Sequence, residues 1–123
     1  MTRINVVPVK ELTNKHLVAE YREIMRLPNN LKKSLNRKSK SFNISEIPQE
    51  YVLGTGHVKF FYNKMKFLKE RFEQLVVEMQ VRGYKPQYIE SNIFNADPLY
   101  FNDYIPTEDA IKINRQRIKD RLS

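Results

Sequence analysis

The sequence contains no cysteine. That excludes disulfides, a thiolate nucleophile and cysteine-based metal sites. Its two histidines, His16 and His57, stand far apart, a poor basis for a structural zinc site. No metal and no cofactor are expected. No apolar run approaches the roughly 20 residues that cross a bilayer. The start of the chain also lacks the charged-then-apolar pattern of a secretory signal. A protein that is neither secreted nor membrane-bound is expected. There is no internal repeat and no linker-like stretch, so residues 1–123 read as a single domain. That length suffices for one core.

Acidic residues are scarce relative to basic ones. There are 14 Asp and Glu against 22 Lys and Arg, a formal net charge of +8. Such a surplus suits a polyanionic partner, nucleic acid first. A merely soluble basic protein is the plainer alternative. Hydrophobic residues make up 41% of the chain, which fits a folded protein better than a disordered one. An anionic membrane partner needs a basic amphipathic surface helix, and the best amphipathic helix here reads as core.

Residues 2–8 look extended and end at Pro8, with Val6 and Val7 turned to the core. A helix is expected from near Lys10 or Asn14 to about Leu27, capped by Thr13 or Asn14 and ended by Leu27-Pro28-Asn29-Asn30. At about 100° per residue, Leu17, Val18, Tyr21, Ile24 and Met25 share one arc. His16, Ala19, Arg22, Glu23 and Arg26 share the opposite one. That second face is either solvated, with a Glu23–Arg26 ion pair at i, i+3, or a site that gathers a carboxylate, an imidazole and two guanidiniums. Leu31 to Ser41 carries Lys32, Lys33, Arg37, Lys38 and Lys40 and no acid, with a short helix near Leu31–Arg37. It is a solvated charge run or a phosphate-facing arm in which Lys33 takes part. Phe42 to Gln49 reads as loop.

The longest helix is expected from about Val58 to Arg82. Phe61, Met65, Leu68, Phe72, Leu75 and Met79 recur at alternating spacings of 4 and 3, a buried helix face. Phe60 and Tyr62 widen it, and these aromatics read as core rather than as platforms for bases. Gly83 ends the helix in a left-handed cap. The Gly54-Thr55-Gly56 turn before it is either a phosphate cradle or a tight helix start. It is not a Walker loop, since the Gly-Lys-Ser/Thr ending is missing. Tyr84 to Tyr104 is irregular, anchored by Tyr84, Tyr88, Phe94, Tyr100 and Phe101. A last helix follows Pro106, capped by Thr107, with Glu108 and Asp109 at its positive end. Ala110, Ile111, Ile118 and Leu122 face inward there, and Arg115, Arg117, Lys119 and Arg121 outward. The fold class is therefore all-α: a compact single domain of three main helices with long irregular loops.

Three blocks carry a family resemblance. Met1-Thr2-Arg3-Ile4-Asn5 with His16-Leu17-Val18-Ala19-Glu20-Tyr21-Arg22-Glu23, then Gly54-Thr55-Gly56-His57-Val58-Lys59-Phe60-Phe61-Tyr62-Asn63-Lys64, then Asp103-Tyr104-Ile105-Pro106, keep their order and nearly their spacing. Together they resemble the phage-type pyrimidine-dimer DNA glycosylase (endonuclease V) family. The resemblance implies a compact three-helix protein with its N-terminus tucked against helices. It implies Thr2 as first residue after removal of Met1, its α-amine attacking the sugar, and Glu23 as the essential carboxylate. It implies Arg3, Arg22, Arg26, Arg117 and Arg121 on the DNA backbone. The implied substrate is ultraviolet-damaged duplex DNA containing cyclobutane pyrimidine dimers, handled by a monomer. The implied location is the cytoplasm or nucleoid of a bacterium, or a phage- or virus-infected cell. Met25 stands where a proline looks typical and Arg121 where a lysine does. His16 lies near Glu23 on the wheel, and either touches sugar or phosphate or is a partly buried helix histidine. His57 is a candidate phosphate contact.

The residue types suit that chemistry. An α-amine with a pKa of about 7.7–8.0 is roughly one-third neutral near pH 7.5, against about 0.1% for lysine. Arg3, Arg22 and Arg26 would lower that pKa and Glu23 would oppose them. Attack at C1′ displaces the base and leaves an imine, and β-elimination then cuts the strand. Three alternatives stay open: an abasic-site lyase or a glycosylase for other damaged bases on the same fold, a basic DNA-binding module without chemistry, and an interaction protein whose basic face is incidental.

Overall fold

In the computed structural model, residues 4–35, 47–52 and 57–122 are described, and the side chains of Ser34, Leu35 and Leu122 fall outside that set. So do Thr2, Arg3, Arg37, Lys38, Lys40 and the Gly54-Thr55-Gly56 turn. Among the described residues the regular structure is helical: α1 (Asn14–Ile24), α2 (Leu27–Leu35), α3 (His57–Phe60), α4 (Met65–Val81) and α5 (Glu108–Leu122), with two short 3-10 turns at Val9–Glu11 and Asn92–Phe94. The longest helices are α4, α5 and α1.

α1 starts where Thr13 accepts the His16 N–H on its Oγ1 at 3.2 Å, an N-cap contributing about 1 kcal/mol. It buries Leu17, Tyr21 and Ile24, with Val18 and Met25 half-buried. α1 ends just ahead of the Leu27-Pro28 pair, as the sequence suggested, but the pair is not irregular chain. It opens α2. Pro28 has no N–H for the Ile24 carbonyl, which breaks α1, but a proline in a first turn forfeits no helical bond. The chain turns at Met25 and Arg26 and sets off again.

The expected helix from Val58 to Arg82 is also two helices. Phe60, Phe61 and Tyr62 are only 1%, 0% and 7% exposed. Three consecutive helical side chains fan over about 200°, so one helix face cannot bury them all, and a turn at 61–63 can. The first amides of α4 then find acceptors in the late loop: Met65 N–H donates to the Tyr100 carbonyl at 2.9 Å and Phe67 N–H to that of Asn102 at 3.3 Å. Beyond the break the apolar stripe is as expected, with Phe61, Met65, Leu68, Phe72, Leu75 and Met79 all buried. α1 lies on α4 through Tyr21 stacked on Phe72, ring centres 5.8 Å apart.

Gly83 closes α4 at φ +91°. Its N–H bonds the Gln80 carbonyl at 3.1 Å, and the Tyr84 N–H bonds that of Met79 at 2.9 Å, the paired bonds of a Schellman cap. A methyl group added at Gly83 would meet nothing within 4 Å. The cost of Gly83→Ala is therefore purely conformational. It is expected to destabilise by about 1 kcal/mol, read as a lower urea midpoint with an unchanged slope.

The loop from Tyr84 to Tyr104 is held less by its own tyrosines than expected. Phe94 is buried and packs on Phe72, and Tyr100 and Phe101 are half-buried. The ring of Tyr88, however, is 59% exposed, and Tyr84 is also exposed. The tether is Tyr21 of α1, whose hydroxyl donates to the Tyr88 carbonyl at 2.7 Å and accepts its N–H at 2.9 Å. α5 begins at Thr107, which accepts the Ala110 N–H at 3.0 Å. It turns Ala110 and Asn114 inward, with Ile111 and Ile118 half-buried.

Candidate active site

The polar face of α1 is where the wheel put it. Ala19, Arg22 and Arg26 are exposed, and His16 and Glu23 are half-buried. Arg26 Nη1 lies 3.2 Å from Glu23 Oε2, with the arginine side chain 64% exposed and the glutamate only 23%. The pair is thus a carboxylate set into the surface beneath a solvated cation. Lys33 of α2 is exposed, as is Arg121 of α5, and Arg117 is half-buried.

His16 links two of these helices. Its Nδ1 is buried and meets no hydrogen-bond partner among the described residues. Its pKa is lowered, first by burial and then by the positive charges of Lys15 and Arg121. The charge of Arg121 near the end of α5 thus acts on His16 near the start of α1. The unfolded chain takes up the imidazole proton more readily than the folded one. His16 thus contributes a loss of stability as pH falls through the ordinary imidazole range toward its lowered folded value. Arg121→Gln is expected to raise the His16 pKa, read from its ring-proton NMR titration.

His57 is not placed for a phosphate. It is buried. Its Nε2 accepts the Ile4 N–H at 2.8 Å, and its Nδ1 lies 2.6 Å from the Val52 carbonyl. An N–H can only donate and a carbonyl only accept, so the ring is neutral with its proton on Nδ1. Burial and two main-chain partners give His57 the task of fastening the N-terminal segment.

That fastening is the part of the site that sequence reasoning missed. Residues 4–7 form a strap whose polar groups are met by side chains from several elements. The Ile4 carbonyl accepts the Tyr51 hydroxyl at 3.1 Å. The N–H groups of Val6 and Val7 both donate to Asn114 Oδ1, at 2.6 and 3.1 Å. Asn114 Nδ2 donates to Asn5 Oδ1 at 2.7 Å, and Asn5 Nδ2 to Glu20 Oε1 at 2.8 Å. Glu20 takes both Nε and Nη2 of Arg71, at 2.7 and 3.0 Å. Arg71 Nη1 also donates to the Val7 carbonyl. Glu20 lies between the apolar positions Leu17 and Ile24, Arg71 between Leu68 and Leu75, and Asn114 between Ala110 and Ile118. Each is a polar residue inside an apolar stripe, and that was the available signal.

One more amine stands out. Lys64 Nζ sits 3.9 Å above the Phe60 ring and donates to the Phe60 carbonyl at 2.8 Å and to Asn63 Oδ1 at 3.0 Å. Burial brings its pKa down to about 8. Among the described residues no group of three His, Cys, Asp or Glu could hold a metal ion, and no helix is long and apolar enough to cross a membrane.

Comparison with known families supplies the frame for these parts. A family model described as pyrimidine dimer DNA glycosylase matches residues 1–89. The match runs from the N-terminal strap through α1, α2, α3 and α4, and takes in Glu23, Arg22, Arg26 and the buried Glu20–Arg71 pair. It stops before α5, so Arg117 and Arg121 lie beyond it. With well over half its length matched, this chain belongs to the pyrimidine dimer DNA glycosylase family, whose members are DNA-repair glycosylases.

Proposed function

We propose that the protein excises one base of a cyclobutane pyrimidine dimer in duplex DNA and then cuts the strand at the resulting abasic site, with the α-amine of Thr2 as nucleophile. Removal of Met1, which a small second residue allows, frees that amine. Its lone pair attacks C1′ of the 5′ nucleotide of the dimer. The C1′–N bond breaks and the base leaves with the electron pair. Opening of the sugar ring gives an imine joining Thr2 to C1′. The imine acidifies the C2′ proton, whose loss expels the 3′ phosphate by β-elimination. Glu23 stabilises the positive charge that develops on the sugar and assists ring opening and proton removal. Arg3, Arg22, Arg26, Lys33, Arg117 and Arg121 neutralise phosphates, and His16 contacts the sugar or a phosphate beside Arg121. The enzyme acts as a monomer in a compartment that holds DNA.

The observation that carries this reading is the bond from Asn5 Nδ2 to Glu20 Oε1 at 2.8 Å. Glu23 lies one helical turn, about 5 Å, along α1 from Glu20. Thr2 stands three positions before Asn5, a reach of at most about 10 Å. A chain fastened at Asn5 keeps its first amine within range of that carboxylate.

Borohydride trapping tests it. Protein beginning at Thr2 is incubated with a duplex carrying one thymine dimer, reduced, and examined for a covalent protein–DNA band. A duplex with an abasic site runs beside it. Lys64 is the competing amine, since its pKa of about 8 brings it close to an α-amine. The band is expected to vanish on N-terminal acetylation and to persist in Lys64→Gln. A band only on the abasic duplex would leave a lyase without dimer excision. No band on either duplex would overturn the enzymatic mechanism.

A further inference from the structure

We infer that Asn114 of α5 is a positioning residue for the N-terminal nucleophile: its carboxamide fixes the strap, and through Asn5 ties it to the helix that carries Glu23. The inference rests on the amine mechanism proposed above and deepens it.

The argument is one of hydrogen-bond supply. A strap without a neighbouring strand must find partners for its amides elsewhere, because an unpaired buried N–H costs as much as a lost bond. Asn114 serves two successive amides with one oxygen and the side-chain oxygen Oδ1 of Asn5 with its nitrogen. Only a carboxamide offers an acceptor and donors in one plane in this way. A leucine of similar size would leave three polar groups of the strap unsatisfied, and an aspartate would lose the donor toward Asn5. Asn114 is 1% exposed, so its effect on DNA must pass through other residues.

The placement on α5 adds a second link. Asn114, Arg117 and Arg121 stand at i, i+3 and i+7, one stripe of a helix. The same rigid rod therefore holds the strap near its middle and carries near its end the Arg121 charge that acts on His16. Phosphates engaged by the arginines and the strap that leads to the amine share a common support. Their spacing is set by α5 rather than by the irregular chain between them.

The test measures imine formation apart from binding. Asn114→Ala and wild type are compared in single-turnover borohydride trapping on an abasic-site duplex. Affinity is measured with a duplex carrying a tetrahydrofuran analogue that cannot form an imine. A misplacement of about 1 Å can cost on the order of 100-fold in rate. Asn114→Ala is expected to trap about 10–100-fold more slowly, with affinity within about twofold of wild type, a split that general unfolding does not produce. Circular dichroism establishes whether it folds. Should it not, Asn5→Ala carries the test, since it removes the tie to Glu20 and the bond from Asn114 Nδ2 while leaving Asn114 Oδ1 to hold the Val6 and Val7 amides, and it is expected to slow trapping in the same way. A folded Asn114→Ala that traps at the wild-type rate overturns the positioning role alone. So does a parallel loss of rate and affinity. Absence of trapping by wild type overturns the amine mechanism, and the positioning role falls with it.

Discussion

Glu23→Gln is expected to slow base release from a dimer-containing duplex by about 10²–10⁴-fold while DNA affinity holds or rises. The substitution keeps the shape of a side chain that is only 23% exposed and removes only its charge. A glutamine cannot stabilise a developing cation as a carboxylate does, nor accept a proton at neutral pH. Binding should not suffer, because Glu23 is a negative charge among the cations proposed to meet phosphates. Arg26, 3.2 Å away, is released from its ion pair and becomes more available to DNA. Single-turnover excision and equilibrium binding on the same duplex separate the two effects. An unchanged rate would remove Glu23 from the chemistry. A rate that falls only in step with affinity would make it part of the binding surface instead.

The second large effect is expected in stability. Arg71→Met leaves the Glu20 carboxylate, whose side chain is 0% exposed, without its bidentate partner, and strips a donor from the Val7 carbonyl. Removing one member of a buried ion pair costs about 3–5 kcal/mol, a large share of the stability of a domain this size. Urea denaturation should show it directly. The double variant Arg71→Met with Glu20→Gln should recover part of the loss, because it removes the stranded charge and keeps an acceptor for Asn5. If the single variant costs less than about 1 kcal/mol, the pair contributes little and the strap is held by its other bonds.

Much of this architecture was legible in the sequence because it depends on local rules. The stripe from Phe61 to Met79 follows from helical periodicity, the caps at Thr13 and Thr107 from hydroxyl chemistry, and the stop at Gly83 from the need for a positive φ. The two faces of α1 follow from the same wheel. What escaped depends on partners distant in the chain. Pro28 stops α1 as expected, and its compatibility with a first turn lets α2 start at Leu27 rather than near Leu31. The helix break at 61–63 was hidden because aromatic residues fit the apolar pattern, and only the acceptors offered by Tyr100 and Asn102 make the turn visible. His57 was assigned to phosphate by its place at a helix start, and its two partners lie on the main chain of other segments. Asn114 was passed over because a single asparagine on an amphipathic helix has no local signature of its bond to residues more than a hundred positions earlier.

That distance bears on how the protein comes into being. The strap bonds to Asn114 span 108 and 107 positions for Val6 and Val7, and 109 for Asn5. The segment synthesised first completes its hydrogen bonds last, after the final helix has left the ribosome. Domains generally fold as units, and here α1 and α4 are complete well before α5 exists. Until then two strap amides lack their native acceptor. The strap at residues 4–7 is thus fixed only in a finished molecule. A chain broken off before Asn114 would keep the helix that carries Glu23 and lose a support of the strap that, in the proposed mechanism, leads to the nucleophile.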